Sequence, residues 1–389
     1  MNSLYYPDII GGAEKSTKIL AEALTDYFNV NVITTGNNSS VQCDIVNNVR
    51  VFRIPPHNKF WIGNREKKSV LNKILWHLKD IKNKNIRKEV SKIIDDIEPV
   101  LIHTQNITGL SSVVWSLAGE RNIPLIHTLR DYSLFEPIKF KAFNYFFSLS
   151  TKWHSRHVNV VIGISNFILN KHLEKKFFSN ATKHVIFNSI EGAKESLLKK
   201  EENQVAIISY FGQVERNKGV DILINAFNGI GHEAELNVFG TGNDYEEMRS
   251  KNLHHNNIVF HGKICSEQVD NEMFKSDLII VPSRWEEPFG RVVIEAYNNG
   301  TPVIASNKGG IPEIILDSNH LFDVDNPLNL TRKINDFLDL SLTEKGEIIN
   351  GCFEKSKEFR TEKMLKSHLE IYDQYLNNKE KSYGTRFSS

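Results

Sequence analysis

Residues 282–313, PSRWEEPFGRVVIEAYNNGTPVIASNKGGIPE, read as strand end, charged loop, helix, strand, glycine loop and helix start. The run before them, Leu278-Ile279-Ile280-Val281, is short, β-branched and uncharged, as in a strand buried on both faces. Pro288 suits the first turn of a helix, where its missing N–H costs little. Val292, Val293 and Ala296 keep helical spacing, and Asn299-Gly300 supplies a left-handed stop. Thr301 to Ala305 reads as the next buried strand. Two carboxylates, Glu287 and Glu295, flank the helix start, one in the loop and one inside the helix. The N–H groups of Phe289, Gly290 and Arg291 would open that helix, and such ends bind phosphate. An anion cradle with a hydroxyl-binding acid on either side suits a sugar nucleotide.

Outward from this stretch, the second half alternates strands and helices. Val205–Phe211 is a strand that runs into the glycine-bounded loop Gly212-QVERNK-Gly219. A helix over Asp221–Phe227, a strand over Glu235–Phe239, the loop Gly240–Gly242 and a strand over Ile258–His261 follow. This pattern predicts a doubly wound α/β sheet, with the loops Gly212–Gly219, Gly240–Gly242, Glu287–Gly290 and Lys308–Gly310 on its ligand-binding carboxyl edge. The first half repeats the plan with strands over Val30–Thr34, Val100–His103, Pro124–Thr128 and Val160–Ile164. Gly11-Gly12 open a helix over Glu14–Leu24 and bring backbone N–H groups toward a ligand phosphate.

At 389 residues the chain is expected to form two domains. We expect residues 1–190 and 191–360 to form one domain each, followed by residues 361–389 with a polar tail. No apolar run is long enough to span a bilayer, and no signal-peptide pattern opens the chain. Three scattered cysteines fit a reduced cytoplasmic protein. The net charge of +1 conceals a split: residues 1–190 carry 25 Lys and Arg against 15 Asp and Glu, and the remainder carries 23 against 32. A basic first half is expected to meet something anionic, such as a phosphorylated acceptor or an anionic membrane surface. No helix-turn-helix, zinc-finger or RNA-binding signature supports nucleic acid.

The stretch Glu287-PFGRVVI-Glu295, continued by GTPVIAS-x-x-GG-x-PE from Gly300 to Glu313, resembles the signature of the retaining glycosyltransferases of family four (group 1). That family has the GT-B fold, two Rossmann-like doubly wound domains facing a cleft, which implies residues 1–190 as the acceptor-binding domain, residues 191–360 as the nucleotide-sugar-binding domain and residues 361–389 as a helix returning to the first. The resemblance extends to the GGAE loop at Gly11–Glu14. It implies transfer from a nucleoside-diphosphate sugar with retained configuration, to a saccharide or lipid-linked acceptor, with no cofactor and no metal. It implies Gly11, Gly12, Gln213, Lys218, Gly290, Arg291 and Glu295 as donor-binding positions, and Glu287 and Lys218 as catalytic; we add Arg130 as a catalytic candidate that holds acceptor or donor phosphate. Two positions depart from the pattern. Gln213 stands where the family often has an Arg on the donor diphosphate, so charge falls to Lys218 and Arg291. Arg130, in Thr128-Leu-Arg-Asp131, stands where it commonly has a histidine. The family also opens with a hydrophobic strand, whereas Met1–Tyr6 alone precedes Pro7, so either that strand is very short or, as we expect, the start lies downstream of the true one.

Each motif has a plain rival. His103 and His127 end strands and equally suit a core. Asn106 and Ser165 are weaker candidates, and Asp323-Val-Asp325 reads as a turn rather than a metal site. The basic stretch Arg65–Lys92 carries Val70, Leu71, Ile74, Leu75 and Leu78 at helical spacing, either a packed stripe under a solvated face or a membrane-surface helix. The aromatics Phe140, Phe143, Tyr145, Phe146 and Phe147 suit either a core or an apolar lip. A dinucleotide-dependent oxidoreductase is disfavoured, because neither half has G-x-G-x-x-G after its first strand. A nucleotide-sugar-binding protein without turnover is the alternative to a transferase, favoured by Gln213.

Overall fold

The computed structural model describes residues 1–64, 68–197 and 204–384, so Arg65 and Lys67 of the basic stretch lie outside it. The chain divides into two units, Met1–Ser189 with Thr361 onward, and Ile190–Arg360.

The first unit opens with α1 (Gly12–Ala23), β1 (Asn31–Thr35), β2 (Gln42–Val46) and β3 (Val49–Ile54). β2 and β3 form an antiparallel hairpin, and β1 pairs parallel with β3. Its two-residue turn, Asn47-Asn48, has φ of 48° and 65°, the left-handed pair that matches strand twist. The hairpin escapes a reading based on βα alternation. α2 (Val70–Ile81) and α3 (Lys84–Ile97) follow, separated by Lys82 and Asn83, and the Asn83 side chain caps α3. Then come β4 (Ile102–Thr104), α4 (Val114–Glu120), β5 (Leu125–Leu129), α5 (Lys141–His154), β6 (Val160–Gly163), α6 (Asn166–Glu174) and β7 (Thr182–Val185). The last four strands make a parallel sheet in the order β4-β5-β6-β7. The first residues run extended between β1 and β4. Asn2 N–H donates to Ile33 O and Thr35 N–H to Ser3 O on one side, and Ser3 N–H to Asn106 O and Gln105 N–H to Met1 O on the other.

The second unit holds β8 (Ala206–Phe211), α7 (Val220–Phe227), β9 (Ala234–Phe239), α8 (Tyr245–Lys251), β10 (Ile258–Gly262), α9 (Ser266–Lys275), β11 (Leu278–Val281), α10 (Arg291–Asn298), β12 (Val303–Ser306), β13 (Leu321–Phe322), α11 (Pro327–Leu338) and α12 (Leu342–Ser356). Its parallel sheet has the order β10-β9-β8-β11-β12-β13. Leu236, Val238, Ile208 and Ile280 are fully buried on the face covered by α7 and α11. Ile279, which points to the other face, is fully buried too, and burial on both faces is why β11 carries apolar residues on consecutive positions. Strand order reverses between β8 and β11, the topological switch point where such sheets take ligands. α13 (Thr361–Gly384) belongs to the first unit, where Met364, Ile371 and Tyr372 share a core with Ile126 and Ile162.

One local expectation needs correction. α10 begins at Arg291, and Pro288 lies before it rather than in its first turn. Gly290 has φ +101°, a left-handed value that a helix cannot continue through. The opening N–H groups are therefore those from Arg291 onward, and Glu295 sits about one turn inside. The stop is as read from the sequence, with Gly300 at φ +68°.

Candidate active site

At the switch point of the second unit, the loops after β8 and β11 are stitched together. Asn217 O accepts the N–H groups of Arg284 and Trp285 at 2.9 and 3.0 Å. The Arg284 guanidinium binds both carboxylate oxygens of Asp221 and the carbonyl of Arg216. Gly219, at φ +73°, closes the approach: a Cβ there would stand 1.8 Å from Pro282 O. Gly309 does the same on the other side, where Gly310 N–H donates to Glu287 O at 2.7 Å.

This stitching brings Lys218 Nζ to 2.6 Å from Glu287 Oε1. Their side chains are 19% and 17% exposed, so the pair is shielded but reachable. Ser283 Oγ donates to the same Glu287 oxygen at 3.1 Å, and Lys218 lies over the Trp285 ring, 4.5 Å from its centroid. Beneath them Tyr210 donates its hydroxyl to Gln213 O at 2.7 Å. Burial pushes that hydroxyl's pKa up, and the Glu287 and Glu215 carboxylates add to the effect. The Gln213 side chain is exposed at the rim of the same loop. One turn into α10, Arg291 Nη2 and Nε meet Glu295 Oε1 at 3.0 and 3.2 Å. Both cations expected on a diphosphate are thus paired with the acids expected on hydroxyls. Arg216, the other nearby cation, turns away to Glu247 at 2.8 Å.

In the first unit the α1 N-terminus is closed by its own chain. Gly11 N–H donates to Glu14 Oε2 at 2.8 Å, and Glu14 is buried. Burial pushes the Glu14 carboxyl's pKa up, opposed by the N–H groups of Gly11, Glu14 and Ile10. Thr17 donates to Gln105 Oε1 at 2.9 Å, the same oxygen accepts Arg130 Nε, and Arg130 Nη1 donates to Asn188 Oδ1 at 2.6 Å. Asp131 is held by Asn106 Nδ2 at 2.6 Å and caps Ser133 N–H at 2.8 Å. Gln105 and Asn188 escape a reading of the sequence, since nothing in their neighbours marks them. Trp285 and Ser283 lie inside the signature stretch, where their distance from Lys218 in the chain hid their role.

The remaining candidates are structural. His127 is buried, stacked on Phe178 at 5.5 Å and bonded to Thr104. His103 joins Tyr372 of α13 at 2.7 Å and Thr128 at 2.8 Å. Ser165 is buried and caps α6 through Ile168 N–H. Asp323-Val-Asp325 is an exposed turn in which Asp323 accepts Asp325 N–H. Among the described residues no group of three or more His, Cys, Asp or Glu side chains is arranged to hold a metal.

Two family models match. Residues 190–350 match "Glycosyl transferases group 1", and residues 10–193 match "Glycosyltransferase Family 4". An uncharacterized 42.6 kDa protein in the cps region of Klebsiella pneumoniae is 34% identical over 329 residues, 81% of this chain and 86% of that protein. The lipopolysaccharide 1,2-N-acetylglucosaminetransferase of Salmonella typhimurium is 27% identical over 152 residues, 36% of this chain and 40% of its own. Among solved structures, sucrose-phosphate synthase from Thermosynechococcus elongatus superposes with a TM-score of 0.74 at 19% identity, covering 97% of this chain and 96% of that one. Anabaena HepE in complex with UDP superposes with a TM-score of 0.70 at 18% identity, covering 96% and 100%.

Proposed function

The chain belongs to the group 1 glycosyltransferases of GT-B type, and on that premise we propose that it moves a sugar from a nucleoside diphosphate to a saccharide or lipid-linked acceptor with retained configuration. The observation that carries this reading is the Lys218–Glu287 pair at the switch point, beside the start of α10. The bond between the anomeric carbon and the diphosphate oxygen breaks with its electron pair moving onto the diphosphate, an acceptor hydroxyl oxygen bonds to that carbon, and the hydroxyl proton passes to the departing phosphate oxygen. Lys218, Arg291 and the first N–H groups of α10 meet that charge without a metal. Their carboxylate partners then turn to hydroxyls, Glu287 to the donor sugar and Glu295 to the ribose. Arg130, set by Gln105 and Asn188, holds phosphate or acceptor in the first unit. Gly11 and Gly12 serve the donor only if Glu14 releases the Gly11 N–H.

The cps-region and lipopolysaccharide relatives support a role in cell-surface polysaccharide or glycolipid synthesis. A sugar-nucleotide donor fits a cytoplasmic site of action. No helix among the described residues is long and apolar enough to cross a membrane. Gln213, uncharged at the rim of the donor loop, favours a second reading, a sugar-nucleotide binder without turnover.

The test is a panel of UDP-, GDP- and ADP-sugars, scored by melting-temperature shift and by release of nucleoside diphosphate, with and without EDTA. Release with one donor, unchanged by EDTA, is expected. A melting shift without release for any donor supports the second reading, and strict dependence on a divalent ion overturns the metal-free part.

A further inference from the structure

α2 and α5 of the first unit pack on each other, with His77 edge-on to Phe147 at 5.6 Å and tilted against Phe143 at 6.3 Å. Each helix has a second apolar side that this packing leaves uncovered. On α2, Trp76 and His77 are buried, whereas Leu71, Leu75 and Leu78 are 65%, 44% and 50% exposed. At about 100° per residue these leucines form a stripe on the side opposite the buried pair. The stripe that suited either packing or a membrane surface is therefore exposed. On α5, Phe143 and Phe147 are buried, whereas Phe146, Leu149 and Trp153 are 69%, 47% and 53% exposed. The aromatic run splits in the same way, one side into the core and the other into solvent. Isolated exposed apolar residues are ordinary, but two neighbouring stripes are not.

The charge around the stripes has one sign. From Lys68 to Lys88 the one acid in the sequence is Asp80, and it is buried. From Pro137 to Leu173 there is no acid, while Lys139, Lys141, Lys152, Arg156 and Lys171 are present. Lys73, Lys79, Lys82, Lys139 and Lys141 are exposed. A second copy docked by twofold symmetry would set this cationic collar against itself. An anionic bilayer satisfies both features, taking the apolar side chains into the acyl boundary and the lysines among the headgroups.

We infer that the outward face of α2 and α5 docks this protein on an anionic membrane surface. The face uses no residue of the Lys218–Glu287 site, so the inference stands whether or not the transfer reaction does. Its bearing on the acceptor rests on the proposed function. Arg130 leads through residues 131–140 into α5, which puts the docked face next in the chain to the loop proposed to meet the acceptor.

The test is sedimentation of the full chain with phosphatidylcholine vesicles and with vesicles that also contain phosphatidylglycerol, at low and high salt. Capture by the anionic vesicles at low salt, weakened at high salt, is expected. Leu75→Ser on α2 and Phe146→Ser with Trp153→Ser on α5 should each lower the bound fraction constant by about tenfold or more, as should Lys73→Glu with Lys141→Glu. The melting temperature and donor-induced shift of these variants should match the parent, since every altered side chain is exposed. No capture by anionic vesicles at low salt, equal capture by the zwitterionic ones, or capture indifferent to both the Leu75 and the Phe146/Trp153 substitutions overturns the inference. So does a dimer in solution that Phe146→Ser dissociates, which would mean that a second copy covers the face.

Discussion

Lys218 and Glu287, 69 positions apart in the chain, meet at 2.6 Å where the loops after β8 and β11 adjoin. The carboxylate supplies locally the negative charge that a donor diphosphate would bring. On the proposed function, binding a donor would exchange one anionic partner of Lys218 for another.

That exchange gives opposite effects for the two partners. Lys218→Met should lower nucleoside-diphosphate affinity by about tenfold or more, as expected for loss of a charge-assisted contact. Glu287→Gln removes the competing anion, so nucleoside diphosphate alone should bind as well as to the parent or better, while turnover of the sugar donor falls at least about tenfold. Calorimetry with the diphosphate and a release assay with the donor separate the two. Parallel loss of both quantities in Glu287→Gln would contradict the exchange.

Gly219 should be intolerant of any side chain. Its φ of +73° and the 1.8 Å that a Cβ would leave to Pro282 O predict that Gly219→Ala forces the β8 and β11 loops apart. A loss of about 3 kcal/mol or more is expected from strain and clash together. Gly231→Ala is the control: nothing lies within 4 Å of its would-be Cβ, and the change should stay within about 0.5 kcal/mol. Urea melts of both variants check this, and equal midpoints would refute it.

Arg130 should resist replacement by lysine. Its planar fork reaches Gln105 and Asn188 at once, which a single ammonium on a flexible stem cannot copy. Arg130→Lys should keep the melting temperature near the parent's and lower turnover more than diphosphate affinity. Arg130→Ala should also destabilise, by about 1–3 kcal/mol, because the buried Gln105 and Asn188 lose a partner. Full turnover in Arg130→Lys would remove Arg130 from the site.

Stability should fall as pH drops from about 6.5 to about 4. Burial holds the pKa of His172 and of His368 down to about 4, and neither ring Nε2 has a hydrogen-bond partner among the described residues. The unfolded chain takes up these protons first, so the contribution is present above the unfolded value of 6.5 and is lost toward 4. Each histidine accounts for up to about 3 kcal/mol. Asp80 acts with the opposite sign. Burial raises it to about 7, so its neutral form favours the fold at low pH and that contribution is lost as pH rises through about 7. Melting temperatures recorded across this range, with Asp80→Asn gaining on the parent more at pH 8 than at pH 5, check both signs. A level curve from 6.5 to 4 would contradict the histidine argument.

The sequence determined the α/β class and most of the second unit's elements, because their signals are local. The uncharged run Leu278–Val281 is a buried strand, and Gly300 ends α10 in a left-handed turn, as their neighbours alone dictate. The family signature lies in consecutive residues for the same reason. Partnership was not legible. Whether Lys218 faces solvent or Glu287 depends on β8 lying beside β11, and whether Leu71 or Trp76 of α2 is buried depends on where α5 packs. His103 and His127 were undecided until Tyr372 and Phe178 stood against them. These choices are made by contacts between residues far apart in the chain, and hydrophobic periodicity carries no record of which distant surface a given face will meet.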